Sequence, residues 1–318
     1  MRRFTDILID QIKATKSITC VGIDPDVQVG SKTSPIPSFL IEEHGGNVPE
    51  AIFTFFNDII DQVGGLVPIF KLQLAFFERF EALFVAKKLI DKIHQQKGLV
   101  IIDGKRNDIS STSEAYAISI FENLQADATT VNGYLGSDCV LPFLKYEGKG
   151  VYVLVKTSNP SSGEFQELFS VAIPSEPPEI TEINAPRIRL IRNYLQMASL
   201  VSKWGAKSIG EANYSDVGAV VGATYPIQMQ QIRKLLPKAF FLIPGYGAQG
   251  GKATDIIHGV NYDGLGAIVN SSRSIDYAYQ KDDQRYTPRQ YAHAAREAVE
   301  LMNADIRNAL KAHNKCPW

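Results

Sequence analysis

The stretch LVIIDGK, residues 99–105, is an unbroken apolar run that ends in charge. Four consecutive apolar residues with no polar alternation mark a strand buried on both faces of a parallel sheet. Seven further runs read the same way: ITCVGID (18–24), VPIFKLQ (67–73), ATTVNG (128–133), VYVLVKT (151–157), VGAVVGAT (217–224), FFLIPGY (240–246) and GAIVNSS (266–272). Between most of them lie segments with apolar residues at helical spacing, over 49–63, 75–96, 111–124, 185–204 and 225–236, and a last one over 287–313 closes the chain. Pro226 stands near the first turn of the fifth, where a missing N–H does no harm, and Gly98 stops the second. Alternation of strand and helix means βαβ units and a parallel sheet. Eight such units predict an α/β protein with the (β/α)8 TIM barrel architecture; an open doubly wound sheet is the alternative.

A chain of 318 residues suits one such barrel. The expectation is a single domain over 1–318, with long loops at 25–48 and 159–184 and a C-terminal helix. Both loops follow the C-terminal end of a strand, the face where barrel enzymes carry their sites, so both read as lids or binding loops.

Bulk composition excludes several classes. Thirty-three basic against 34 acidic residues leave a net charge of −1, which carries no electrostatic footprint for nucleic acid or an acidic membrane. Three cysteines (Cys20, Cys139, Cys316), far apart and without a C-x-x-C pair, point to a reducing, cytoplasmic setting rather than a disulfide framework. The five histidines show no zinc-binding spacing, so no metal is expected. At the N-terminus, Asp6, Asp10 and Lys13 interrupt the apolar residues at helical intervals, which reads as an amphipathic helix and not a signal peptide.

The charges at the strand ends carry the chemistry. Residues i and i+2 of a strand share a face, so Asp103 and Lys105 point together into the mouth of a barrel. Lys71 lies near the end of the second strand and Asp24 at the end of the first. Adjacent strands are about 4.8 Å apart, so these ends converge. A structural ion-pair network would look similar, but buried pairs are poor stabilisers, and alternating Lys and Asp is better explained by chemistry. Lysines beside carboxylates stay protonated and serve as proton donors rather than amine nucleophiles. Asp108, three residues past Lys105, either turns back into its own pocket or reaches that of a neighbouring molecule.

GYGAQG (245–250) matches the G-x-G-x-x-G pattern. It follows the seventh strand rather than the first, and the next strand lacks the acidic ribose ligand of a dinucleotide site. A phosphate site built from the loops after strands seven and eight fits better, with Gln249 donating from its amide and Arg273 offering a planar fork.

The motif D-x-K-x-x-D in DGKRNDI, followed by STSEAYA, resembles the signature of the orotidine 5′-phosphate decarboxylase family. VGIDPD, FKLQLAFFE, VKTSNPSSG, IPGYGAQGG and NSSRSI resemble that family's other blocks in order, over residues 18–275, and most closely its longer bacterial form. Leu72 stands where a proline is more usual. The resemblance implies cofactor-free decarboxylation of orotidine 5′-phosphate to UMP in pyrimidine biosynthesis. It implies that Lys105 protonates C6, that Asp103 faces the substrate carboxylate, and that Lys71 pairs with this network and contacts the ribose. Asp108 would serve the neighbouring subunit's site, giving a homodimer with shared sites. Asp24 would bind a ribose hydroxyl, Thr112 would lie near the shared site, Ser158 would meet the pyrimidine edge, and Gln249 and Arg273 would hold the phosphate. Magnesium-dependent sugar-phosphate relatives share the central motif, but Gln73 and Leu74 follow where an extra acidic ligand would be needed. A non-catalytic nucleotide-binding barrel would need a broken charge network, and this one is intact.

Overall fold

Parallel strands need a crossover that returns the chain to the same end of the sheet, and the helical segments supply it. The computed structural model describes residues 2–28, 34–172, 189–247, 250–281 and 285–318. Its strands are β1 (Thr19–Ile23), β2 (Ile69–Gln73), β3 (Leu99–Arg106), β4 (Ala128–Val131) and β5 (Gly150–Lys156), then β6 (Phe169–Ala172), β7 (Arg189–Arg192), β8 (Ser215–Val221), β9 (Ala239–Ile243) and β10 (Ala267–Ser271). Eight of them close a parallel barrel in the order β1-β2-β3-β4-β5-β8-β9-β10, with β10 back against β1. The open-sheet alternative is therefore ruled out. All eight predicted runs are barrel strands.

Close packing holds the barrel shut. A Cβ on Gly218 would stand 2.5 Å from the Phe240 carbonyl oxygen and 2.7 Å from the Tyr152 ring, so only glycine lets β8 lie this near β9 and the interior aromatic. The predicted N-terminal helix forms over Phe4–Thr15, and Phe4 meets Tyr152 edge-on at 6.3 Å. The final helix, Tyr291–Ala312, lies along the helix Val48–Val63, where Tyr291 stacks on Phe55 at 4.6 Å. Among the described residues no helix is long and apolar enough to cross a membrane.

Two helical expectations are corrected. The segment 75–96 forms two helices, Leu74–Arg79 and Leu83–Gln95. Glu81 adopts φ 53° and the Ala82 N–H bonds back to the Phe77 carbonyl, a left-handed termination that periodicity does not register. In the segment 185–204, the helix starts only at Asn193, because RLIR (189–192) is β7, paired antiparallel with β6. That hairpin is held across the strands. The Arg192 guanidinium sits 4.4 Å from the Phe169 ring and donates to the Glu167 carbonyl at 2.6 Å. The loop expected over 159–184 thus carries a strand within its described part.

At the opposite end of the barrel from the charged cluster, Arg233 is buried, and among the described residues no carboxylate lies within ion-pair distance of it. Its guanidinium donates to the carbonyls of Leu236, Ala239, Gly259 and Gly266 and lies on the Phe241 ring at 3.6 Å. It ties the starts of β9 and β10 together. Arg233→Met is expected to remove the guanidinium donors of these carbonyls, of which Gly266 keeps the Phe241 N–H, and to lower stability by about 3 kcal/mol. The check is urea denaturation: the midpoint should fall at constant m-value.

Candidate active site

The C-terminal ends of the barrel strands open into a cavity of about 610 Å³. Asp24, Lys71, Asp103, Lys105, Ser158 and Arg273 all line it. Strand register explains the convergence. Lys71 pairs laterally with Gly22 on one side and Ile101 on the other, while Gln73 pairs with Asp103. The Lys71 ammonium thus stands between β1 and β3, 3.1 Å from Asp103 Oδ2 and 3.5 Å from Asp24 Oδ1. Lys105 Nζ lies 2.7 Å from Asp103 Oδ1.

Lys105 does not reach the pocket from a regular strand, as the i, i+2 argument assumed. Its φ is +48°, and the β3–β4 register shifts between Ile102 and Arg106. A left-handed backbone at a lysine costs on the order of 1–3 kcal/mol and needs outside support. Thr130 provides it: its Oγ1 accepts from the Lys105 N–H at 3.0 Å and donates to Asp103 Oδ1 at 2.7 Å. Gln73 Nε2 donates to Asp103 Oδ2 at 3.2 Å.

Electrostatics follow from this packing. Burial penalises the Asp103 carboxylate, but Lys71, then Lys105, and the hydrogen bonds from Lys105 and Thr130 outweigh it and hold the group well below the usual carboxylate range. Burial likewise works against the Lys71 ammonium. Asp24 and Asp103 prevail, and its pKa lies above that of an ordinary lysine. Cys20, deeper on β1, is pushed by burial to about 12 and stays a thiol. Asp24 is positioned from β10's side: Tyr277 Oη donates to its carbonyl at 2.6 Å, and the buried Asp276 stands behind its N–H at 3.5 Å.

On the far side, Gly245 and Gly247 turn with φ 98° and 71°, and Tyr246 between them donates to Asp305 at 2.5 Å. Arg273 starts a short helix directly after β10. The cavity floor between the two ends is aliphatic, with Leu154, Val220 and Leu242. Gln249 lies outside the described residues. Asp108 and Thr112 do not line the cavity of their own chain. Asp108 caps the Ile109 N–H at 2.8 Å on the loop after β3, and Thr112 is exposed on the helix Ser110–Ile118.

Thr130 and Gln73 escaped the sequence reading as site residues, as did Asn270, which lines the cavity from β10. Both Thr130 and Asn270 stand near the C-terminal ends of predicted strands, but position was the only signal they gave, because a neutral residue there carries no charge to single it out.

Residues 20–177 match the family model described as the orotidine 5′-phosphate decarboxylase / HUMPS family. The orotidine 5′-phosphate decarboxylase of Rhodopirellula baltica is 36% identical over 321 residues, spanning 96% of this chain and 100% of its own. That of Caldicellulosiruptor bescii is 37% identical over 328 residues with the same coverage. The solved structure of Leishmania donovani OMP decarboxylase is similar with a TM-score of 0.71 at 27% identity, covering 96% of this chain and 98% of that one.

A depressed carboxylate pKa makes a pH prediction. Asp103 contributes stability that is present above its unfolded value of about 3.9 and is lost as pH falls through the lower folded value. Lys71, raised, contributes stability below its unfolded value of about 10.4 that is lost only at higher pH. At neutral pH both contributions are complete. Asp103→Asn is expected to melt lower than the parent at pH 7, and the gap should narrow as pH drops below about 4. Melting curves of both proteins from pH 7 to 3 check this; a constant gap contradicts it.

Proposed function

The chain belongs to the orotidine 5′-phosphate decarboxylase family, and we propose on that premise how its cavity converts orotidine 5′-phosphate to UMP and carbon dioxide. The observation that carries the reading is the Asp24–Lys71–Asp103–Lys105 alternation at the cavity wall, with Lys105 Nζ 2.7 Å from Asp103. Breaking the C6–carboxylate bond leaves an electron pair on C6, with no neighbouring carbonyl to take it up. The Lys105 ammonium stabilises that developing charge and then donates its proton to C6. Asp103 stays ionised because Lys71 and Lys105 flank it, and so it presents negative charge to a substrate carboxylate that leaves as a neutral molecule. Lys71 and Asp24 take the ribose. The aliphatic floor suits the base and the departing carbon dioxide.

The phosphate lies at the other end, on the glycine turn after β9, with Arg273 and Gln249 as ligands. Binding energy gained there, remote from C6, orients the base. Ser158 meets the pyrimidine edge. No cofactor enters this scheme. We place Asp108 and Thr112 in the site of a second copy, in a cytoplasmic homodimer with one barrel domain per chain. What supports this is that neither lines the cavity of its own chain, together with the exposed apolar side chains Ile109, Tyr134, Leu135 and Leu141.

Two measurements test the reading. Lys105→Ala is expected to cost at least about 10³-fold in turnover while UMP still binds. Activity of the parent on orotidine 5′-phosphate should survive EDTA; a strict magnesium requirement would favour the sugar-phosphate relatives instead. For the shared site, inactive Asp108→Asn chains mixed with inactive Lys105→Ala chains should form hybrids that regain one working site. No recovery on mixing would count against an exchange of Asp108 between subunits.

A further inference from the structure

Lys156, the last residue of β5, is fully buried, yet the chemistry above makes no use of it. Its ammonium donates to Ser162 Oγ at 2.7 Å, lies 3.4 Å from Glu167 Oε1 and stands 3.8 Å from the centroid of the Tyr225 ring. Ser162 and Glu167 flank the short helix Gly163–Gln166. Tyr225 precedes the helix Pro226–Leu235 that follows β8. Ser162 lines the cavity itself, and Glu167 follows directly on the cavity-lining Gln166.

The same wall is tied further. The Thr157 N–H donates to Gln166 Oε1 at 3.0 Å, and Gln166 Nε2 donates back to Thr157 Oγ1 at 2.8 Å. Glu167 is shared: Arg192 of β7 stands 3.3 Å from its carboxylate and Gln228 donates to it at 3.2 Å. Thr157, Ser158 and Gln166 face the cavity.

An ammonium taken wholly out of water is costly, and one ion pair with a part-exposed carboxylate seldom repays that cost. A methionine would fill a similar volume without it. A buried charge does something that an apolar side chain does not: it fixes the direction of the groups around it, because in a low-dielectric setting each bond to it is strong and each misplacement is expensive. We propose that Lys156 is a positioning residue for the decarboxylation, holding the wall 157–167 so that Ser158 meets the pyrimidine edge. This rests on the reading above of what the cavity binds. The phosphate end is anchored separately, on the loops after β9 and β10, so the influence of Lys156 is confined to the base end.

The test is Lys156→Met, read by calorimetric titration with UMP and with ribose 5-phosphate, and by turnover of orotidine 5′-phosphate. Ribose 5-phosphate reaches the sugar and phosphate anchors but has no base. Affinity for UMP should fall on the order of tenfold or more, with a matching rise in KM, while affinity for ribose 5-phosphate stays within about twofold. General loosening of the fold would weaken both ligands together, and that outcome overturns the inference, as does unchanged UMP affinity. If Lys156→Met does not fold, Glu167→Gln removes the opposing charge from a part-exposed position, and the same split between the two ligands is required of it. A parent protein that fails to turn over orotidine 5′-phosphate would overturn the decarboxylase reading and this inference with it. A parent that turns over, beside a variant with full UMP affinity, overturns the inference alone.

Discussion

A carboxylate buried between two ammonium groups is the constraint from which the rest of the site follows. Asp103 loses its water to the barrel mouth, and an isolated buried charge would simply pick up a proton. It stays ionised because β2 delivers Lys71 to one oxygen and the bulged end of β3 delivers Lys105 to the other, while Gln73 and Thr130 complete the hydrogen bonding. Each of these side chains sits on a different strand or at a different height, and the parallel pairing of β1 to β4 in this register brings them to one point. Closure is in turn secured far from the chemistry, by Gly218 against the Phe240 carbonyl and by Arg233 on the carbonyls that begin β9 and β10.

The same cluster explains where the backbone is strained. Lys105 occupies a left-handed conformation that its side chain disfavours, and the Thr130 hydroxyl grips both its N–H and its carboxylate partner. Strain of this kind persists only where surrounding bonds over-determine it. The result is an ammonium group whose direction is set by the backbone and held against Asp103. At the other end of the cavity the demands differ. The phosphate proposed to bind there would need close backbone approach, and the positive φ angles of Gly245 and Gly247 allow it. Between them lies the apolar floor, and along one side runs the wall pinned by Lys156.

Much of this was legible in the linear sequence because periodicity and strand ends are local properties. Apolar runs such as LVIIDGK have one stable use in a chain of alternating strands and helices, and all eight predicted runs became barrel strands. The charged residues stood out because Lys and Asp at the end of a buried strand are hard to explain by stability alone. Neutral residues gave no such signal: Thr130 and Gln73 look like ordinary strand residues until the register sets them against Asp103. RLIR read as helix because its apolar spacing extends the pattern of the helix after it, and antiparallel pairing with FSVA overrode that preference.

The sequence by itself determined the eight strands of the barrel, the alternating α/β class, the four charges of the site and, through the family's motif blocks, the direction of the chemistry, since these depend on residue type and short-range spacing. Tertiary structure alone decided the closure of the barrel, the left-handed turn that aims Lys105, the binding of Thr130 and Gln73 to Asp103, and the burial of Lys156 under the cavity wall. Those depend on which strands lie side by side and at what register. The hydrogen bonds that set register join residues tens of positions apart, and no local pattern encodes them.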